Sequence, residues 1–183
     1  LLLLSSCGSP QKAYEAGDYE KAYKLALRKA KRGNVDRATL EIFRNSLQRI
    51  LESGDFQLVH ELALEEFEVG LGNRKTRDVL AQATDSILLV ERAEIEKHST
   101  SDTADDWEKA LDKNKDLQIL LSKSDVYLAG EHEQSITQLE EDATILEDRL
   151  YEYYCLSGQE QLHLSDSTGL KRYAQNAYYD FKD

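Results

Sequence analysis

Apolar residues recur along this chain at helical spacing, with no long alternating run of Val, Ile, Thr and aromatics to predict a sheet. The clearest pattern occurs twice. Residues 17 to 27 read GDYEKAYKLAL and residues 54 to 64 read GDFQLVHELAL, with five of eleven positions identical and a period of 37 residues. In each copy an aromatic is followed by a small residue, a leucine and an alanine on one face: Tyr19, Ala22, Leu25 and Ala26, then Phe56, Val59, Leu62 and Ala63. Gly17 and Gly54 can take the left-handed conformation that ends one helix, and Asp18 and Asp55 can cap the next. A tight turn between antiparallel helices is the expected unit, with the aromatic plugging the turn and Ala22 or Val59 permitting close approach.

Residues 36 to 53 continue the pattern with Leu40, Phe43, Leu47, Ile50 and Leu51 on one face. Residues 75 to 97 predict a long helix through Val79, Leu80, Ala83, Ile87, Leu88 and Val90. HSTSDTAD at 98 to 105 reads as a loop, and DDWEKAL at 105 to 111 as a third turn-and-helix start, with Trp107 in the aromatic place and Ala110 in the small place. A break is expected near SKSD or near LAGE. It is followed by a helix over 131 to 156 that Gly158 ends. The final GLKRYAQNAYYDFKD is amphipathic and lacks a C-cap, so the chain either continues past Asp183 or ends on a frayed helix. A single proline, and glycines set between periodic segments, make the predicted fold all-α.

The GDYEKA turn, with a small residue three positions after the aromatic, resembles the tetratricopeptide repeat (TPR), best over residues 13 to 30. The match is partial: Lys29 stands where the family has a later alanine, RGN at 32 to 34 replaces its proline, and the period exceeds the family's 34. The resemblance implies a short TPR-like solenoid of six to eight helices in antiparallel hairpins. In such arrays a concave face binds protein or peptide.

The opening LLLLSSCGSP changes where such an array would work. With no methionine in the chain, Leu1 is not a translational start, and the leucine run reads as the tail of a secretory signal peptide. Leu4-Ser5-Ser6-Cys7 resembles the bacterial lipobox, which implies cleavage before Cys7 and an acyl lipid on its thiol. The competing reading is an ordinary signal peptide with an incidental cysteine. On the lipobox reading, residues 1–6 are a signal remnant, 7–12 a lipidated tether and 13–183 the repeat domain. Gly8 and Ser9, with no aspartate at the second position, favour an outer-membrane, periplasm-facing location by resemblance to lipoprotein sorting rules. Lipobox, immediate hairpin, Trp-led middle helix and AYYDF ending together resemble the small TPR-like lipoproteins of Bacteroidota.

A net charge of −12 argues against generic nucleic-acid affinity, and no apolar run is long enough to span a bilayer. Charge is uneven, however. Lys21, Lys24, Arg28, Lys29, Lys31, Arg32 and Arg37 crowd the first hairpin, while residues 131 to 152 hold eight acidic residues and one basic. These are either solvated helix faces or, for Lys21, Lys24, Arg28, Lys29 and Arg32, a contact with a partner or with anionic head groups near the tether. Cys155 reads as a packing residue, and the tyrosines crowded towards the C-terminus read as packing with some left exposed for recognition.

Catalytic and metal patterns fail on inspection. GLGNRKT at 70 to 76 lacks the glycine before its lysine that a phosphate loop requires, and Leu64 stands where a zincin needs its second histidine after His60-Glu61. Glu160 and His163 have a di-iron spacing without the second copy such a site requires. The chain is therefore expected to be non-enzymatic, without metal or cofactor beyond the lipid on Cys7: a scaffold or adaptor binding protein partners in an outer-membrane assembly, secretion or uptake complex. The alternative is a lipoprotein holding a small molecule or glycan in a helical groove.

Overall fold

The computed structural model describes residues 9–33 and 36–168, so Cys7 and the tyrosines beyond 168 lie outside the described residues. Among those described there are seven helices and no strand: α1 (Pro10–Glu15), α2 (Tyr19–Lys31), α3 (Arg37–Glu52), α4 (Phe56–Glu68), α5 (Arg74–Ser99), α6 (Ala104–Leu128) and α7 (Glu133–Thr168). The chain is all-α. The described residues form two compact units, one of those up to Leu89 together with Lys123–Glu131, the other of Val90–Ser122 and those from His132 to Thr168.

In the first unit the repeated turn is local chemistry. Gly17 and Gly54 take φ of 78° and 84°, a region a side chain disfavours. The carboxylates of Asp18 and Asp55 accept from the backbone N–H of Lys21 and Leu58, filling one orphan donor at the start of α2 and of α4. Pro10 occupies the first position of α1, where its missing N–H costs nothing. α2 packs on α1 and α3, and α3 packs on α1 and α4. Ala22 and Val59 are fully buried, whereas Tyr19 and Phe56 are only partly so.

Four positions after each aromatic, outside the stripe that the periodicity marks, Tyr23 and His60 are also buried, at 0% and 4% exposure. Tyr23 stacks on Phe43 with ring centroids 4.4 Å apart and donates its hydroxyl to the carbonyl of Leu62 at 2.7 Å. Burial, with Glu66 and Glu65 nearby, holds that hydroxyl far above the usual phenol range, so it stays a donor. His60 shares a 2.7 Å hydrogen bond between Nε2 and the Ser124 hydroxyl. Around them Leu27, Leu47, Ile50, Leu62, Leu80 and Leu128 complete one apolar core.

The α4–α5 connection carries GLGNRKT as a helix end and turn. Gly70 has φ of 75°, and the Glu66 carbonyl accepts from the N–H groups of Leu71 and Gly72. A Cβ on Gly72 would meet the Phe67 ring at 2.1 Å, so only glycine fits this approach. Below the turn the buried Glu66 carboxyl accepts a 2.7 Å hydrogen bond from Thr76.

Three expectations need correction. α6 begins at Ala104, capped by Thr103, whose hydroxyl accepts from the Asp106 N–H while donating to its carboxylate. Trp107 therefore lies in the first turn rather than opening the helix as Tyr19 and Phe56 do; no glycine precedes it, and Thr103 with Asp106 forms a local capping pair instead. Gly158 does not end a helix: it is buried inside α7, which runs on to Thr168. A mid-helix glycine costs about 1 kcal/mol against alanine, too little to stop a helix that tertiary packing supports. Val90 is 56% exposed, off the buried face of α5. Of the two candidate breaks, the chain turns at LAGE, where Ala129 and Gly130 both take positive φ.

The second unit buries Ile95, Ala110, Leu117, Leu121, Leu139, Leu146 and Leu150 between segments of α5, α6 and α7. Lys113 pairs with Glu91 and Lys115 with Glu147, each at 2.8 Å, and the Tyr154 hydroxyl donates to Glu108 at 2.6 Å.

Two buried groups in the first unit titrate in opposite senses. Burial pushes the Glu66 carboxyl up from its ordinary 4.5 to about 7, against the Thr76 hydrogen bond and Arg44. Its contribution is fully present below the unfolded value and is lost as pH rises through about 7. Burial pushes His60 down from 6.5 to about 4, so its contribution is present above 6.5 and is lost as pH falls towards about 4. Urea unfolding of Glu66→Gln at one pH below 4.5 and another above 7 is expected to show a smaller alkaline loss than wild type, by on the order of 3 kcal/mol. An unchanged difference between the two pH values would contradict the assignment.

Candidate functional site

The second unit contains a cleft of about 660 Å³, built around the chain's only tryptophan. Its floor is apolar, formed by Ile95, Leu139 and Leu146, and its rim carries Arg92, Arg149, Asp102, Asp142 and the 58% exposed Ile145. The walls come from α5, the α5–α6 loop, the first turn of α6, and α7.

The loop is fixed by one carboxylate. Asp106 accepts from Ser101 at 2.7 Å, Thr103 at 3.0 Å and Lys109 at 3.2 Å, and lies 3.1 Å from His98 Nδ1. Those partners hold its carboxyl well below the usual carboxylate range, the Ser101 hydroxyl first among them. Ser101 and His98 both meet Asp106 rather than each other, so the order of a Ser-His-Asp relay is not formed here.

This loop seats Trp107. The indole Nε1 donates to the Ser101 carbonyl at 2.6 Å, which fixes the plane of the ring. The Arg149 guanidinium lies over the ring, 5.1 Å from its centroid, and donates to the Ser99 carbonyl at 2.7 Å. Tyr153 meets the indole edge-on at 5.9 Å, and Arg92 donates to the Ser135 carbonyl at 3.4 Å. A partly buried indole, two arginines with spare N–H groups and an apolar floor can hold an apolar or aromatic group while the rim hydrogen-bonds around it.

Comparison with protein-family models, curated proteins and solved structures finds no match to the chain.

The residues singled out from sequence occupy separate places. Gly17, Asp18, Tyr19 and Ala22 form the first turn, and Gly54, Asp55, Phe56 and Val59 the second. Lys21, Lys24, Arg28 and Lys29 are exposed along α2 and Arg32 is exposed at its C-cap. Only Trp107 enters the cleft; Ala110, one turn on, is fully buried. Arg92, Ile95 and Arg149 were not anticipated. The available signal for Arg149 was its isolation as the one basic residue among eight acidic ones between 131 and 152. Replacing Arg149 with alanine is expected to shift Trp107 emission to longer wavelength and to destabilise the unit by about 0.5–1 kcal/mol. Emission identical to wild type would contradict the stacked geometry.

Proposed function

We propose that the protein is a non-enzymatic, lipid-anchored scaffold of the bacterial cell envelope, facing the periplasm from the outer membrane and binding a protein partner through the Trp107 cleft. The observation that carries the binding role is the pairing of Trp107 with Arg149 above an apolar floor. Tryptophan and arginine dominate binding hot spots because they bury much area and hydrogen-bond at the rim. The exposed Ile145, Tyr151 and Tyr153 on the same helix add contact area of the kind interfaces use.

The TPR-like reading draws its support from the two Gly-Asp-aromatic turns and from the packing of α1 on α3. Helix hairpins stacked in that order make a rigid frame of the kind such arrays use to present a binding face. The lipobox at Leu4–Cys7 supplies the anchor: about 0.8 kcal/mol for each buried methylene makes several acyl chains on Cys7 a stable tether. A second reading, a small molecule or glycan in the same cleft, is favoured by its volume, which falls within the range of small-ligand sites.

Mild detergent extraction at native expression, followed by affinity purification, tests the proposal. Wild type is expected to bring down a partner chain that Trp107→Ala loses, and Cys7→Ala is expected to move the protein into the soluble periplasmic fraction. A wild-type protein that emerges monomeric and alone would overturn the adaptor reading, and unchanged membrane association of Cys7→Ala would overturn the anchor.

A further inference from the structure

One face of α2 is unlike the rest of this acidic chain. Ala22, Tyr23, Ala26 and Leu27 turn into the core at 0–3% exposure. At about 100° per residue, Lys21, Lys24, Arg28, Lys31 and Arg32 fall on the opposite side within an arc of about 100°, a stripe about 16 Å long. All five are exposed. Lys24 pairs with Glu20 and Lys31 with Glu65, while Lys21, Arg28 and Arg32 have no ion pair among the described residues.

Helix electrostatics account for only half of this stripe. Cations in the last turn complement the helix dipole, which explains Arg28 and Lys31. Lys21 stands in the first turn, where the dipole disfavours it, and Lys24 lies mid-helix, where the dipole does not account for it. Together with Arg28, Leu25, Asp18 and Glu20 they border a shallow depression of about 380 Å³, in which Asp18 is engaged in capping the Lys21 N–H and Glu20 in pairing with Lys24.

We propose that this face of α2 is a membrane-docking surface for anionic phospholipid head groups, which lays the helix along the bilayer. Two features favour a lipid surface over an acidic protein. Among the described residues the stripe has no exposed aromatic or large apolar residue to anchor a protein interface, and the apolar residue beside it, Leu25, is half-buried. A planar array of phosphates needs only a row of cations at its own spacing, and basic residues near such a surface each contribute about fivefold in affinity. The remaining acidic surface is repelled by the same bilayer, which orients the molecule with α2 down. The envelope reading enters only in that Cys7, fourteen positions before Lys21, would hold α2 close to a membrane.

The test uses the full chain carrying Cys7→Ser, so that no acyl group contributes, in sedimentation with vesicles of phosphatidylcholine with or without phosphatidylglycerol. Binding is expected only to the anionic vesicles and is expected to fall with added salt. The triple variant Lys21→Gln, Arg28→Gln, Arg32→Gln should lose on the order of a hundredfold in affinity, while Lys21→Arg, Arg28→Lys, Arg32→Lys retains it. Equal binding to neutral vesicles, undiminished binding by the Gln variant, or binding to polyglutamate but not to vesicles would each overturn the proposal. If anionic vesicles are not bound while Cys7→Ala is still released from membranes in cells, the stripe fails and the anchored-scaffold reading stands.

Discussion

The first unit depends on one side chain that meets three helices. Tyr23 leaves α2, lays its ring on Phe43 of α3 and ends with its hydroxyl on the Leu62 carbonyl of α4. An aromatic ring brings a large apolar area into a core, but its hydroxyl must find an acceptor once water is gone. The two requirements together allow α2 one register against α3 and α4. Small residues set the spacing: Ala22 and Ala26 beside Tyr23, and Val59 and Ala63 on α4, let the helices close around the ring.

The polar interior extends this logic. His60, at the repeat position equivalent to Tyr23, reaches Ser124, which Thr84 approaches at 3.5 Å while donating to the Leu80 carbonyl at 2.8 Å. Glu66 is held by Thr76 across the α4–α5 turn. Each bond specifies a register that apolar packing alone leaves degenerate, and those of His60 and Glu66 also expose the fold to pH because these groups titrate. In the second unit Asp106 serves the same end at the surface, tying the loop that seats Trp107.

What was legible in the sequence was local. The turns at Gly17–Asp18 and Gly54–Asp55 rest on residues within a few positions of each other, so period and composition expose them. α6 and the cleft were less legible for the opposite reason. Arg149 reaches Ser99 across 50 positions, and Tyr154 reaches Glu108 across 46. Periodicity marks a helix face without naming its partner, so Tyr23 and His60, polar in pattern and buried in fact, fell outside the predicted stripe. Gly158 failed as a stop signal because a glycine's propensity is a small local term beside the packing of a long helix.

Within the first unit the packed helices thus hold side chains, rather than loops, at defined separations. The most direct measurement is a double-mutant cycle on Tyr23→Leu and Phe43→Leu by urea unfolding. The stacked geometry predicts a coupling energy of about 0.5–1.5 kcal/mol, with each single variant destabilised. Additive losses with no coupling would contradict the place given to Tyr23.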